Sequence, residues 1–450
     1  MQNSALPLCG VVLIALTAIG ITLPHAIPGQ FGIGYGAALD QFVALAALQG
    51  AIYFAAVFLL LRASRAPSLM LILGIAAALR LIPLLAPPFL SNDIYRYVWD
   101  GWVQAAGINP YRYIPDDSHL AFLRDAAIFP NINRASYAHT IYPPAAQMIF
   151  LAATRLAACL HIPPILGMKL AMLGCEATGI AALIRILRQA GLPPARILIY
   201  AWNPLPVWEF AGNGHVDAIA IAFIGLALLF ATEAKTARAA AALAAATLTK
   251  FLPLILLPAI WRRGDWRFAT VFACVIVLLY LPYLGAGAGV LGFLGGYSAE
   301  EGINSGSGIF LLSALGQILP LPAYAAKLYL TLLAGLLLAL ATPMLLARAP
   351  RTNPRAIAAG AMLLGGALML GLSPHFPWYY AWLLLPACIL PWPGIIYLAT
   401  ASFLLYLNPT HTKLFWPACL YLPFIALALR DSWPSRAPKP ALTLAEGNNP

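Results

Sequence analysis

The chain has 450 residues, 62% of them hydrophobic and only 9% charged, with a mean hydropathy of +0.83. A soluble domain carries about 25% charged residues, so the composition excludes a soluble globular protein and predicts an all-α polytopic membrane protein. The formal net charge of +11 does not indicate a nucleic-acid partner. The basic residues lie in short loops between apolar runs, which is the positive-inside pattern of a membrane protein.

A helical span needs roughly 20 apolar residues, which leaves room for a bundle of about 11–13 spans. Apolar runs fall near 6–23, 41–61 and 68–88. The start of the chain has no basic n-region and no A-x-A site, so its first run is expected to remain as a helix. Arg62 and Arg65 separate the second and third runs, which places that loop in the cytoplasm and residues 88 onward outside it. The external loop 88–143 follows. Its opening stretch, S-N-D-I-Y-R-Y-V-W-D-G-W-V-Q-A-A-G (91–107), holds Asp93, Arg96 and Asp100 in a sequence poor in charge. As a helix it puts Asp93, Tyr97 and Asp100 on one face, with Tyr95, Trp99 and Trp102 in a stripe beside them. That pattern predicts a surface helix with its rings at headgroup depth. Gly107 and the following I-N-P are expected to end it.

Apolar runs at 145–160 and 165–186 come next, then a basic turn with Arg185, Arg188 and Arg196. Two full crossings would place those arginines outside, so the shorter run, which contains Arg155, is expected not to span. Residues 197–212 are broken by prolines and Glu209, and a span over 218–231 follows N-G-H-V-D. The run 239–261 has basic residues on both flanks and Lys250 in its middle, which predicts a re-entrant helical pair. A second external loop covers 285–308. The basic residues Arg348, Arg351 and Arg355 precede a run that ends at S-P-H-F-P-W-Y-Y (373–380). Residues 1–430 are read as one integral-membrane domain, and 431–450 as a disordered cytoplasmic tail. The six cysteines fall in or beside apolar segments without metal-type spacing and are read as small hydrophobes.

Membrane-embedded acids are costly, so they usually have a use. Asp93 and Asp217 both abut apolar runs on the external side. One acid at a lipid boundary suits glycosyl transfer from a lipid-phosphate sugar. A phosphate leaves already anionic and needs no acid to protonate it. A single carboxylate to deprotonate the acceptor hydroxyl, with cations to hold the phosphate, is then sufficient. Candidate cations are Arg80, Arg96, Arg112, Arg134, His139, His215 and His375, with Lys250 as a further phosphate contact. For Arg80 snorkelling toward headgroups is the competing reading, and for Trp378, Tyr379 and Tyr380 an anchoring role at the interface.

The ordered motifs N-D-I-Y-R-Y-V-W-D-G, G-I-N-P-Y, T-I-Y-P-P, N-P-L-P, G-N-G-H-V-D-A, T-K-F-L-P and P-H-F-P-W-Y-Y resemble the GT-C superfamily of membrane glycosyltransferases. Within it the chain looks most like bacterial polyprenol-phosphate-mannose-dependent mannosyltransferases and, more distantly, the catalytic subunit of GPI mannosyltransferase I. The resemblance implies an inverting transferase in the bacterial inner membrane, with a polyprenyl-phosphate sugar as donor and a glycan or glycolipid as acceptor at the external face. It maps the catalytic aspartate, the general base, to Asp93. Tyr95, Asp100, Arg112, Tyr142, Asp217 and Tyr379 join Arg80, Arg96, His215, Lys250 and His375 as candidate substrate or phosphate contacts. Eukaryotic relatives carry a D-x-D pair at this point, whereas here Asp93 is followed two residues later by Tyr95. Asp100 lies roughly 10 Å further along a helix, so paired acids do not support a divalent metal. A flippase or transporter of a lipid-linked saccharide is the alternative, and it predicts internal repeats and midplane charges. The polar residues here gather toward one surface instead.

Overall fold

A computed structural model describes residues 2–23, 36–347, 352–408 and 413–432. Among the described residues there are helices and turns and no strands. Five helical runs, at 37–62, 164–189, 266–300, 325–346 and 354–372, are long and apolar enough to cross a membrane, and six shorter apolar helices accompany them. The chain is an all-α polytopic membrane protein. Arg348 and Arg351 lie outside the described residues, as does the tail 433–450.

The first helices are α1 (Gln2–Gly20), α2 (Gly36–Arg62), α3 (Leu69–Leu84), α4 (Asp93–Ala105), α5 (Pro144–Cys159) and α6 (Pro164–Gln189). Their ends follow local chemistry. Ser68 Oγ accepts from Leu71 N at the start of α3, and prolines open α5 and α6, where a missing N–H costs nothing. Gly107, at φ +79°, turns the chain after α4.

The expected breaks are present. Residues 198–212 form two short helical pieces and a π-helical turn, Val207–Gly212. This segment is the centre of the core, with Trp202, Trp208 and Phe210 buried. Its buried indoles are satisfied: Trp202 Nε1 donates to Ile72 O at 2.9 Å and Trp208 Nε1 to Gln49 Oε1 at 2.8 Å. The helix Asp217–Thr232 then packs between α6 and the helix Thr236–Thr247. The run 239–261 is not one helix. It breaks at 248–251 and resumes as a 3-10 turn, Leu252–Leu256, and a short helix, Leu257–Ile260, with Lys250 inside the break.

α4 departs from the surface-helix reading. It packs on α5 and α6 and buries Tyr95, Arg96, Tyr97, Trp99 and Asp100, so its aromatic residues are core side chains and not headgroup anchors. The contact with α5 is close because position 101 is glycine. A Cβ there would lie 2.1 Å from Thr154 Oγ1 and 2.7 Å from the Phe150 carbonyl oxygen.

Candidate active site

Asp93, the first residue of α4, is held from two directions. Its Oδ1 accepts from Asn133 Nδ2 at 2.7 Å, and its Oδ2 lies 3.3 Å from His215 Nε2. The turn before it is pinned as well. The amides of Phe89 and Leu90 donate to Asn213 Oδ1 at 3.1 and 3.0 Å, and buried Lys169 donates to Ala86 O at 2.6 Å. One turn, 213–217, therefore fixes both the approach to α4 and the imidazole that faces its first carboxylate. Gly214 makes this approach possible. It has φ +65°, and a Cβ there would sit 2.4 Å from Ile94 Cδ1.

His215 is buried and lies face to face with Trp378, with ring centroids 4.1 Å apart. Its Nδ1 is 2.7 Å from Asp217 Oδ2, which also accepts from Lys250 Nζ at 2.7 Å. Carboxylate, imidazole, carboxylate and ammonium thus alternate across the site. With a carboxylate at each ring nitrogen, the imidazolium can donate to both. Burial pushes the His215 pKa down, but the hydrogen bonds it donates to Asp217 and Asp93 outweigh it and leave the pKa raised. Burial pushes the Asp93 carboxyl up. The His215 hydrogen bond and charge, with Asn133 and Arg134, more than offset this and hold it below the usual carboxylate range.

Asp93 opens into a cavity of about 180 Å³ whose walls include Arg96, Asn133, Arg134, Tyr297 and Trp378. A second cavity of about 370 Å³ adjoins it and shares Tyr142, Lys250, Tyr297 and Tyr379. The second is walled largely by apolar side chains, among them Ile141, Phe251, Leu252, Leu294 and Leu372. Lys250 lies 3.9 Å over the Tyr379 ring, and the Tyr379 and Tyr297 hydroxyls are 2.8 Å apart. The ammonium therefore stands where a charged chamber meets an apolar one.

The structure gathers Asp93, Arg96, Tyr142, His215, Lys250 and Tyr379 around the first cavity, with Asp217 directly behind His215. His375 lines the second cavity, where its Nδ1 is 2.8 Å from Glu301 Oε2. Other candidates lie elsewhere. Arg80 is buried between helices, paired with Glu176 at 2.6 and 2.8 Å, and donates to the carbonyls of Ala76 and Ala201. It neither snorkels nor reaches the cavity. Arg112 is exposed and stacks over Tyr113 at 5.3 Å, and Tyr95 is buried in α4 outside the cavity wall. Asp100 pairs with Arg96 at 2.8 Å, as i,i+4 spacing allows, and accepts from Thr140 and Gln147. It ties α4 to α5 and does not join Asp93.

Arg134, a candidate cation from the sequence, lines the first cavity, and Asn133 and Tyr297 line it without having a signal in the sequence. Trp378, read as a possible membrane anchor, forms part of the site. Among the described residues no group of three or more His, Cys, Asp or Glu side chains is placed to hold a metal ion.

A half-buried carboxylate with a hydrogen-bonded imidazole thus stands between a cation-bearing chamber and an apolar one in a helical membrane bundle. Residues 5–262 match the MptA_B family, alpha-(1->6)-mannopyranosyltransferase, over its N-terminal domain. This is more than half of the chain, and the chain belongs to that family of mannosyltransferases. No curated protein and no solved structure matches it. The match covers Asp93, Asn133, Arg134, His215, Asp217 and Lys250, and ends before Tyr297 and Trp378.

Proposed function

We propose that the protein transfers mannose from a polyprenyl-phosphate donor to a glycan or glycolipid acceptor at the external face of the membrane, with inversion at the anomeric carbon. The observation that carries this reading is the location of Asp93 and Lys250 on one wall system, with the apolar cavity opening from the ammonium. In this reading the first isoprene units lie against Phe251, Leu252 and Leu372. The phosphate meets Lys250 and Arg134, and the sugar faces Asp93.

The acceptor hydroxyl attacks the anomeric carbon from the face opposite the phosphate. A new C–O bond forms as the bond to the phosphate oxygen breaks, and the departing electron pair stays on polyprenyl phosphate. Asp93 takes the hydroxyl proton as that oxygen gains positive character. Its lowered pKa keeps it ionised at neutral pH. His215 fixes its direction and balances its charge until the proton arrives. A second carboxylate is not required, because the leaving group is a phosphate and not an alkoxide.

The positive-inside distribution supports an external site, since Arg62 and Arg65 lie two turns and one helix away from Asp93 in the chain. Purified protein given polyprenyl-phosphate-mannose and a mannose-terminated acceptor should form a product whose new linkage has the anomeric configuration opposite to that of the donor. A product of retained configuration contradicts the single-displacement mechanism. Absence of transfer with translocation of the intact donor lipid would favour a flippase.

A further inference from the structure

A third cavity, of about 570 Å³, lies beyond the two already described, bounded by the 300–308 turn, the short helix Phe310–Gly316 and His375. Its chemistry differs from that of both neighbours. Glu300, Glu301, Ser305, Ser307 and Gln317 supply carboxylates, hydroxyls and an amide, and among the described residues neither lysine nor arginine lines it. The apolar cavity offers few such groups, and the Asp93 chamber is walled by Arg96 and Arg134.

The third cavity is joined to the site at two places. Glu300 in its wall accepts from Arg134 Nε at 2.6 Å and from the Tyr137 hydroxyl at 3.1 Å, and Arg134 is part of the Asp93 chamber. Glu301, Gly308 and His375 belong to both the third and the apolar cavities. A ligand held in the third cavity is therefore one ion pair away from the chamber that holds Asp93.

Glu300 is already paired with Arg134 and Glu301 with His375, so among the described residues the cavity holds no uncommitted cation for a phosphate, and the charged end of the donor is not matched here. A neutral polyol is matched. Carboxylate oxygens accept from adjacent sugar hydroxyls, and serine hydroxyls and an amide can take either role. The volume falls within the roughly 300–1,000 Å³ of ordinary small-molecule sites. We propose that this cavity binds the neutral saccharide of the acceptor, the one or two sugar units behind the hydroxyl that reacts. The assignment rests on the transferase reading above, and it gives donor and acceptor separate approaches to the reacting carbon.

The test uses the full-length protein in lipid nanodiscs, with an α-(1→6)-linked mannotriose as the probe. Binding is measured by calorimetry in the Asp93→Asn background, so that turnover does not intervene. Mannotriose should bind, and Ser305→Phe or Gln317→Phe, each at an exposed position, should weaken it tenfold or more while the particle remains monodisperse. In turnover with Asp93 intact, the same substitutions should raise KM for the acceptor tenfold relative to that for the donor. Mannotriose that fails to bind, or that binds the phenylalanine variants as tightly as their parent, overturns the proposal. Transfer that persists in Asp93→Asn while the phenylalanine variants lose mannotriose would refute the base assignment and leave this one standing.

Discussion

Arg80 and Glu176 offer a sharp test of which charges are structural. Arg80→Met removes a guanidinium that makes two bonds to Glu176 and two to backbone carbonyls, in a place where both side chains are buried. Glu176 is then left with the Tyr200 hydroxyl, at 3.0 Å. Breaking a buried pair from one side costs about 3–5 kcal/mol, because the remaining charge is stranded. At about 1.4 kcal/mol per tenfold, that is roughly a 10²- to 4 × 10³-fold fall in the ratio of folded to unfolded protein. Replacing both partners by apolar groups of similar volume, Arg80→Met with Glu176→Leu, leaves no stranded charge and should restore most of the stability. Thermal unfolding in detergent, followed by size-exclusion chromatography, reads both variants, and mannosyl transfer is measured on the same samples. The expected result is a destabilised single variant, with stability and transfer both recovered in the double variant. A double variant that folds like the wild type but transfers mannose with a strongly raised donor KM would show that Arg80 contacts the donor and refute the structural assignment.

Three further expectations follow from the same geometry. His215→Gln removes the strongest influence lowering the Asp93 pKa, so the acid limb of the transfer profile should move to higher pH. An unmoved limb would sever His215 from the base. The raised pKa of His215 means that its ionisation stabilises the fold fully below its unfolded value of about 6.5. That contribution is lost as pH rises through the folded value, so the wild type should lose heat stability on the alkaline side faster than His215→Gln. Gly101→Ala forces a methyl group into Thr154 and the Phe150 carbonyl. It should cost about 1–3 kcal/mol and reduce transfer by displacing the helix that carries Asp93, and wild-type heat stability in this variant would contradict the close α4–α5 contact.

Much of the candidate site was legible in the sequence because its residues are chemically out of place. Asp93, Asp217, His215 and Lys250 interrupt or border apolar runs, and a polar group there implies a partner. The break at Lys250 and the end of α4 near Gly107 follow from flanking charge and from glycine and proline. The Arg96–Asp100 pair follows from helical spacing alone. What could not be read was pairing across distance. Arg80 and Glu176 are separated by 96 positions, and nothing local distinguishes a paired arginine from one that reaches headgroups. Lys169 is a similar case, a lone cation in an apolar run whose acceptors are backbone carbonyls. Asn133 and Trp378 were missed for different reasons. An asparagine in a polar loop carries no signal. A tryptophan beside two tyrosines at the end of an apolar run looks like an interfacial belt until its stacking on His215 is seen. The same confusion misplaced the rings of α4, since aromatic periodicity is shared by surface helices and by core helices.

Measuring mannosyl transfer by the Asp93→Asn variant tests the central claim most directly. The exchange preserves size, and the new amide can still accept from Asn133, so the protein should express and elute as the wild type does. Donor should still bind, because Lys250, Arg134 and the apolar cavity are untouched. Transfer should fall by at least the 10²–10⁴-fold that a positioned base contributes. Wild-type turnover by a folded Asp93→Asn protein would remove Asp93 from the chemistry and with it this account of the site.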